Sequence, residues 1–370
     1  MIWTILALLT VLSYLHYMYF NILFRKGLGK TRTDLNFTRE KVSVIVAARN
    51  EEETIVYLLL SLLNQSYPRD LFEVIIADDG SEDQTAGLVN EFIERFGNLK
   101  LIQVTDRDKV ISAKKNALSQ AIAASSGDII LTTDADCMVG RDWISSHVVQ
   151  FTADTDMVAG FSRTRLDWEK SNLAGKFDHF DSLLLFMAAA GAINSGKIFS
   201  CSGQNLAYRR QAYDKIGGFR SIAHLISGDD VNLMQLMGRN NLKIRFNLQP
   251  GNFVLTRAVS KWREIINQRS RWASNMKWQV QLNPEFFFYL SSVLIITILP
   301  WIIIFKYWYL ALIIMLTRGM GDLYFIKKGF QVFGILKKRL KFYPVWFIFQ
   351  PFYMLMVTLL GLISVYKWKR

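Results

Sequence analysis

Cysteine and histidine are scarce in this chain, which holds two cysteines and four histidines among 370 residues. Cys137 and Cys201 have neither the spacing of metal ligands nor that of a disulfide framework, so free thiols in a reducing compartment are the plain interpretation. The histidines are scattered along the chain and form no ligand cluster: His16, His147, His179 and His224. These absences argue against a zinc site and against a disulfide-stabilised secreted domain.

Charge is missing from residues 2–24, which contain no Asp, Glu, Lys or Arg. This stretch is long enough to cross a hydrocarbon core of about 30 Å. A signal peptide is the alternative, but a basic leading region and a small-residue cleavage site are both missing, and Arg25 and Lys26 follow directly. Residues 1–24 are therefore predicted to form an N-terminal transmembrane anchor.

Acidic residues are rare towards the C-terminus. Residues 1–260 hold 28 Lys and Arg against 28 Asp and Glu, whereas residues 261–370 hold 16 against 3, which accounts for the net charge of +13. Binding to nucleic acid is not expected, because the globular part carries no basic surplus. A basic excess beside apolar segments instead suits contact with anionic membrane lipids.

Apolar runs return near the end of the chain and predict a C-terminal transmembrane region over 285–370. The runs cover 286–305, 307–325 and 345–366. The second run contains Arg318 and Asp322 one helical turn apart. A charged pair inside a membrane segment must be mutually paired or must face a protein interior.

Basic residues also predict the orientation of the protein. Those that follow the first apolar run are Arg25, Lys26, Lys30 and Arg32. By the positive-inside rule the central domain is expected in the cytoplasm, and the protein is expected to be integral to the bacterial inner (plasma) membrane. Four spans would place the terminal Lys367, Lys369 and Arg370 outside, against the same rule, so a re-entrant or interfacial C-terminal segment stays open.

The range 41–260 alternates short β-branched strands with helices, which predicts one α/β domain with a parallel sheet. Strands are expected at 42–48, 73–79, 101–104 and 128–136, and helices at 51–65, from 83 onwards and at 112–125. In such sheets ligands bind outside the carboxyl ends of the strands. Acidic clusters lie at two of those ends.

The first acidic cluster, Asp78-Asp79-Gly80-Ser81, ends the second strand. A carboxylate there can accept a hydrogen bond from a base N–H or a ribose hydroxyl, and Gly80 permits the tight turn. The competing interpretation is an Asp-Gly turn in which Ser81 or Asp83 caps the next helix. Both interpretations fit this segment when it is taken alone.

The second acidic cluster, Asp134 and Asp136, ends the fourth strand. Two carboxylates separated by one residue can hold a divalent cation, Mg²⁺ or Mn²⁺, which takes oxygen ligands and keeps water and phosphate oxygens in its shell. Such a cation would neutralise a leaving diphosphate. The short pattern is common by itself, and its position after a β-branched strand makes it more specific.

A third acidic pair, Asp229 and Asp230, follows Gly228 at a predicted helix start. A carboxylate there could take the proton from an acceptor hydroxyl. The competing interpretation is that the pair stabilises the N-terminus of the helix through the helix dipole. The two interpretations are about equally supported by this segment alone.

The range 261–284 predicts an amphipathic helix at the membrane interface. Gln268, Arg271 and Trp272 are spaced i, i+3 and i+4, so they share one helical face. A cation and an aromatic ring on one face could hold a diphosphate and stack on a sugar ring. A basic amphipathic helix that simply lies on the membrane is the alternative, and the two roles are compatible.

In combination and in this order, these motifs resemble those of the inverting glycosyltransferase family 2, which has the GT-A fold. The resemblance covers about residues 41–280 and rests on the segments VSVIVAARNEEETI, DDGS, DAD, GDD and QRSRW. AKKNAL is similar to the family's glycine-lysine element, with Ala113 where glycine is usual. SGQNLAYRR, at 202–210, is similar to the acceptor-side loop.

The resemblance implies a GT-A domain with a mixed, mainly parallel sheet, joined to transmembrane helices, and it implies site residues. The residues expected to bind the nucleotide-sugar are Ala47, Arg49, Glu51, Asp78, Asp79, Lys114 and Asp134. Asp134 and Asp136 are expected to bind the metal. Asp230 is expected to act as the general base, with Asp229 in a supporting role. The residues expected to contact the diphosphate and the acceptor are Gln268, Arg271, Trp272 and Gly203.

The expected activity is transfer of a sugar from a nucleotide-sugar, expected to be a UDP-sugar, to a lipid or glycan acceptor. The GDD and QRSRW motifs with flanking spans resemble those of hyaluronan, chitin and cellulose synthases and of ceramide glucosyltransferases. The small number of apolar segments favours a lipid acceptor over a processive polysaccharide synthase. A non-catalytic membrane binding protein on a transferase fold is the alternative from another class, and the complete acidic set argues against it.

Overall fold

The computed structural model describes residues 1–30, 39–105, 112–225 and 227–365. It has two compact units, one combining residues 1–31, 166–199 and 259–370 and the other combining residues 32–165 and 200–258. We call them the helical unit and the α/β unit. Arg32 and the terminal Lys367, Lys369 and Arg370, used above to predict orientation, lie outside the described residues.

The helices, in chain order, are α1 (Ile2–Leu28), α2 (Ile55–Leu63), α3 (Thr85–Ile93), α4 (Ala113–Ala123), α5 (Trp143–Val148), α6 (Leu173–Asn194), α7 (Arg210–Lys215), α8 (Asp229–Arg239), α9 (Trp262–Ala273), α10 (Met276–Leu282), α11 (Pro284–Ile303), α12 (Trp308–Val332) and α13 (Tyr343–Leu362). The strands are β1 (Val42–Ala48), β2 (Phe72–Asp78), β3 (Leu99–Gln103), β4 (Ile129–Thr132), β5 (Met138–Val139), β6 (Met157–Ala159), β7 (Ser162–Arg165), β8 (Leu206–Arg209), β9 (Ile244–Phe246) and β10 (Val254–Arg257).

The α/β unit is built on a sheet with the strand order β3-β2-β1-β4-β8-β6-β9. Strands β3, β2, β1 and β4 run parallel, β8 is antiparallel to both of its neighbours, and β9 is parallel to β6. The predicted mixed, mainly parallel sheet is confirmed. Strands β5, β10 and β7 form a second, small sheet.

The central strands are buried on both faces, which is why they read in the sequence as continuous apolar runs. Val44 and Val46 of β1 and Val74 and Ile76 of β2 are fully buried, and helices α2 and α3 contribute to the same core. Strand β4 is shorter than predicted and ends at Thr132. The acidic residues that follow therefore lie in a loop beyond the strand.

The helical unit contains candidate membrane spans. Helices α1, α11 and α12, and the segment Lys337–Leu362 that includes α13, are long and apolar enough to cross a membrane. This extends the middle predicted segment, 307–325, by about two turns to Val332. Arg318 and Asp322 lie inside α12, where Arg318 Nε is 3.6 Å from an Asp322 carboxylate oxygen and both residues are buried. Arg318 and Asp322 thus form an ion pair that is also buried inside the helical unit.

Helix α6 belongs to the helical unit, although its sequence falls inside the predicted catalytic range 41–260. It packs closely against α1, because Gly27 of α1 and Gly191 of α6 face each other. A Cβ on Gly191 would lie 2.5 Å from the carbonyl oxygen of Phe24. Two helices approach this closely only when small residues line the crossing.

Candidate active site

The loops that follow β1 and β2 are tied together at the carboxyl edge of the sheet. Asn50, which has a positive φ of 53°, donates its backbone N–H to Ser81 Oγ at 3.0 Å and accepts from the backbone N–H of Glu82 at 2.9 Å. Gly80 has a φ of 70°, so the turn needs the conformational freedom of glycine. The DDGS segment is thus a turn that is tied to the loop after β1.

The two aspartates of this turn have different partners. Asp78 accepts hydrogen bonds from the backbone N–H and the hydroxyl of Ser81, so its carboxylate holds the turn. Asp79 donates its own N–H to the carbonyl oxygen of Ala48, and its carboxylate lies 3.9 Å from Arg49 Nη1. Asp79 therefore has a carboxylate that the turn does not use.

The other predicted nucleotide-binding residues lie along the same edge. Ala47 is half-buried in β1 and pairs in register with Ala77 of β2. Glu51 donates its backbone N–H to Thr85 Oγ1 at 2.8 Å, and its carboxylate accepts from the hydroxyl of Thr54. Thr54, the residue before α2, has φ −123° and ψ −29°, outside the helical conformation, so the helix starts at Ile55 and not at the predicted Glu51.

Lys114 joins two of the acidic clusters. It lies in the first turn of α4, and its ammonium group is 2.7 Å from Asp134 Oδ1 and 3.4 Å from Asp229 Oδ2. Burial lowers the pKa of Lys114, but the charges of Asp134 and Asp229 outweigh burial and hold that pKa above its ordinary value. Lys114 is therefore a fixed cation between the two carboxylates.

Asp230 is held by backbone donors. Its two carboxylate oxygens each accept one hydrogen bond at 2.7 Å, from the backbone N–H groups of Gly203 and Val231. Burial and the neighbouring charge of Asp229 raise the pKa of Asp230 to about 6, against the opposing effects of Lys114 and the two N–H donors. A carboxylate with a raised pKa is a stronger base, which suits proton abstraction near neutral pH.

These residues line a common pocket in the α/β unit. Its walls are Lys114, Leu118, Thr132, Thr133, Asp134, Gly203, Leu206, Tyr208, Phe219, Asp229, Asp230 and Leu233. The pocket brings together five residues that the sequence had predicted for the site: Lys114, Asp134, Gly203, Asp229 and Asp230. Within the described ranges, the buried hydroxyls of Thr133 and Tyr208 have no hydrogen-bond partner. They leave two polar groups of the pocket wall available to a ligand.

Sequence reasoning missed Lys115, the neighbour of Lys114. Its side chain is fully buried, and its ammonium group donates to the carbonyl oxygens of Leu225 and, at 3.0 Å, of Ile222. Burial lowers the pKa of Lys115, while the charges of Asp229 and Asp230 oppose that shift. Lys115 thus holds the backbone at Ile222 and Leu225, and the second lysine in AKKNAL was the available signal.

The donor set at the end of β4 fits a divalent cation of the magnesium type. Asp134 and Asp136 are half-buried, and Asp134 already accepts a cation, the ammonium group of Lys114, at 2.7 Å. No cluster of three or more Asp, Glu, His and Cys side chains able to hold a metal occurs among the residues that the structure describes. Mg²⁺ is commonly bound by one or two carboxylates, with water and phosphate oxygens completing the shell.

Gln268, Arg271 and Trp272 lie in α9 of the helical unit, as the predicted helix requires. The sequence interpretation passed over Arg269 between them. Arg269 is buried, forms ion pairs with Asp178 at 3.0 Å and Asp181 at 3.1 Å, and lies over the ring of Trp272. Asp178 and Asp181, three residues apart on α6, were the signal for this cluster.

Comparisons with known sequences identify relatives of the α/β unit. Residues 43–217 match the family model described as Glycosyl transferase family 2. Probable glycosyltransferase YdaM of Bacillus subtilis (strain 168) is 29% identical over 72% of this chain and 61% of that protein. Beta-monoglucosyldiacylglycerol synthase of Trichormus variabilis is 29% identical over 63% of this chain and 48% of that protein. Poly-beta-1,6-N-acetyl-D-glucosamine synthase of Staphylococcus aureus (strain COL) is 30% identical over 54% of this chain and 47% of that protein.

The matching part of the chain spans about half to three fifths of the length of these relatives. Among solved structures, the mannosyltransferase PcManGT from Pyrobaculum calidifontis in complex with GDP-Man and Mn²⁺ matches with a TM-score of 0.63 and 19% identity. The match covers 97% of this chain and 99% of that chain. It confirms the predicted GT-A fold class. Residues 43–217 of this chain thus match glycosyl transferase family 2, in agreement with the resemblance of the sequence motifs.

Proposed function

We propose that this protein is a membrane-bound inverting glycosyltransferase that moves a sugar from a nucleotide-sugar to a lipid or glycan acceptor. The observation that carries the proposal is the pocket in which Asp230, Asp229, Lys114 and Asp134 meet. The proposed general base, Asp230, has a raised pKa, and Lys114 lies between two carboxylates. Two hydroxyls of the pocket wall have no hydrogen-bond partner among the described residues and can bind a ligand. These are the groups that direct displacement at an anomeric carbon requires.

In the proposed step an acceptor hydroxyl gives its proton to the Asp230 carboxylate. The acceptor oxygen forms a bond to the anomeric carbon from the face opposite the leaving group. The bond between that carbon and the diphosphate oxygen breaks, and its electron pair leaves with the nucleoside diphosphate. Attack from the opposite face inverts the configuration, and Lys114 stabilises the negative charge that develops.

The nucleotide is assigned to the edge formed by the loops after β1 and β2. Asp79 is the residue proposed to accept from the base, with Arg49, Ala47, Glu51 and Asp78 shaping that edge. The proposed base is uracil. PcManGT was solved with GDP-Man, so the identity of the base is a central point for experiment.

Asp134 and Asp136 are the residues proposed to hold Mg²⁺ or Mn²⁺. When bound, such a cation supplies charge neutralisation to a diphosphate leaving group. Gly203 is proposed to serve the acceptor side, and its backbone N–H also orients Asp230, the proposed general base. The assignment of Gln268, Arg271 and Trp272 to the diphosphate and acceptor stays a prediction from the QRSRW resemblance.

The proposed location is a bacterial inner membrane, with the α/β unit in the cytoplasm where nucleotide-sugars are made. Four apolar helices and the basic excess after residue 260 support this location. A processive polysaccharide synthase is the second candidate, and the poly-N-acetylglucosamine synthase relative supports it. Membrane lipids are the proposed surroundings, and no nucleic-acid partner is proposed.

Nucleotide binding tests this proposal. We expect calorimetry on the full-length protein in detergent to show binding of UDP in Mn²⁺, weaker binding of GDP and CDP, and a marked loss of affinity in chelator. Preference for GDP would change the assigned base and keep the transferase. Absence of binding by every nucleotide tried would reject the proposed function, and unchanged affinity in excess chelator would remove the metal from it.

A further inference from the structure

The centre of the helical unit is filled by a charged cluster to which four helices contribute. Asp322 of α12 accepts from the hydroxyl of Tyr17 at 2.7 Å, from Asn21 at 3.3 Å and from the hydroxyl of Tyr343 at 2.8 Å. Arg318 donates to the carbonyl oxygen of Ile296 at 3.0 Å. Helices α1, α11, α12 and α13 are thus joined at one point.

The same arginine is enclosed on its remaining sides. It donates to Gln350 Oε1 at 2.8 Å, and its guanidinium lies 5.4 Å from the ring centre of Tyr17 and 5.2 Å from that of Phe347. Arg318 is 3% exposed and Asp322 is 4% exposed. Arg318 and Asp322 lie well inside α12, whereas Tyr343 is the first residue of α13. The cluster therefore lies in the interior of the helical unit, among the helices that are candidate membrane spans.

Further layers fill the helical unit beside this cluster. An aromatic layer joins α1 and α11, with Phe20 and Phe24 packed against Phe199 and Tyr289 at centroid distances of 5.1–5.8 Å. A second charged layer joins α6, α9 and α13. In this layer Arg269 forms ion pairs with Asp178 and Asp181. Arg269 also donates to the hydroxyl of Tyr353, and Trp346 donates to Asp181. The interior is thus occupied by interlocked side chains.

A glycan passing through the bundle would have to separate these layers. That would leave the guanidinium of Arg318 and the carboxylate of Asp322 without their partners in a low-dielectric interior, which is strongly unfavourable. An acceptor that stays at the membrane surface requires no such opening. Helix α10 runs into α11, the first of the C-terminal candidate spans, since α10 ends at Leu282 and α11 begins at Pro284. Trp272 of α9 and Val280 of α10 are exposed.

We propose that the helical unit is a closed bundle and that the acceptor is a membrane lipid with a free hydroxyl, which receives one sugar and stays in the membrane. This proposal rests on the proposed function above and names its acceptor. A hydroxyl acceptor is favoured over a lipid phosphate because a phosphate monoester is already ionised near neutral pH and needs no base. The step is the one written for Asp230, with the lipid hydroxyl as the acceptor oxygen.

The test uses full-length protein in sealed phosphatidylglycerol vesicles that contain dioleoylglycerol. A labelled sugar donor, of the nucleotide preferred in the binding panel, is added outside only. We expect label in the organic phase, at one sugar per lipid by mass spectrometry, and accessible to a membrane-impermeant oxidant added outside. A ladder of polymer, label enclosed in the lumen, or donor turnover without labelled lipid would overturn this inference and leave the transferase function standing. Absence of donor turnover would reject both.

A variant of the charged cluster distinguishes a closed helical bundle from one through which a glycan passes. In Arg318→Met/Asp322→Leu both charges are replaced together by apolar groups, which avoids an unpaired buried charge. We expect nucleotide affinity and lipid labelling close to those of the unchanged protein. Loss of labelling with nucleotide affinity intact would show that the cluster serves transport or transfer, and would overturn the closed bundle.

Discussion

At the level of single residues, Asp229 and Asp230 are neighbours with different surroundings. Asp230 accepts two backbone hydrogen bonds at the wall of the pocket, whereas Asp229 lies 3.4 Å from the ammonium group of Lys114. The pair therefore offers a matched comparison, since the same substitution at each position removes one negative charge. Only the residue at 230 is proposed to receive the acceptor proton.

Asp230→Asn should abolish transfer and leave nucleotide affinity nearly unchanged. A general base contributes about 100- to 10,000-fold, and Asn keeps the shape and the acceptor oxygen for Gly203 while losing basicity. Asp229→Asn should reduce transfer less. Initial rates and UDP affinity measured in parallel decide the matter. Wild-type turnover in Asp230→Asn would mean that Asp230 only stabilises the start of α8, where Asn serves as well as Asp does. The general base would then be unidentified.

The pH profile should follow the same carboxylate. Its pKa of about 6 means that the basic form is lost as pH falls through 6, so the transfer rate should decline there and level off above it. The Asp229 charge raises this pKa, so Asp229→Asn should move the midpoint to lower pH. Rates of the two proteins between pH 5 and 8 are the measurement. A midpoint that does not move would argue that another group controls the profile.

Asp79→Ala should weaken nucleotide binding. A hydrogen bond to a buried group contributes about 1–3 kcal/mol, which corresponds to roughly 5- to 150-fold in the dissociation constant. Asp83→Ala is the control, since Asp83 accepts hydrogen bonds from Thr85 at the start of α3 and from the backbone N–H of Glu52. Calorimetry with UDP gives the comparison. If Asp79→Ala binds UDP as tightly as Asp83→Ala does, the Asp79 carboxylate does not contact the nucleotide.

The sequence identified the acidic residues because their chemistry is unusual after buried strands. It could not predict that Lys114 bridges Asp134 and Asp229, which lie 20 and 115 positions away. Such a bridge depends on how α4 lies against the sheet. The hydrogen bond from the backbone N–H of Gly203 to Asp230 could not be predicted for the same reason, since tertiary packing sets the positions of both residues.

At the level of elements, β1 was predicted accurately, whereas the end of β4 and the start of α2 were not. β4 ends at Thr132, four residues before its predicted end. β1 matches its predicted range of 42–48 because buried β-branched residues fill it. α2 begins four residues later than predicted, at Ile55, because Thr54, with φ −123° and ψ −29°, lies outside the helical conformation. The residues before it are tied to Thr85 and Asp83, and such contacts between loops have no local sequence signal.

Gly191→Val should destabilise the helical unit by at least about 1–3 kcal/mol, the usual range for overpacking a core. Its Cβ would meet the backbone of Phe24, which cannot move aside as a side chain can. Ala188→Val, on the half-buried side of the same helix, is the control. Thermal unfolding in detergent should show a lower transition for Gly191→Val only. Equal transitions would mean that the α1–α6 crossing is loose.

At the level of the whole molecule, charge and hydropathy predicted that the chain combines an α/β unit with apolar helices. They did not predict that residues 166–199 belong to the helical unit. Those residues are moderately apolar and lie between strands of the sheet, so nothing local separates them from the domain around them. Their grouping follows from the buried pairing of Asp178 and Asp181 with Arg269.

The most direct measurement is simultaneous detection of nucleoside diphosphate release and sugar incorporation by the purified full-length protein with a membrane lipid extract. Glycosyl transfer by this pocket predicts that the two products appear in equal amounts and that Asp230→Asn, with nucleotide still bound, makes neither. A protein that binds the nucleotide-sugar but releases no diphosphate, with any lipid offered, would instead be a non-catalytic binding protein on a transferase fold.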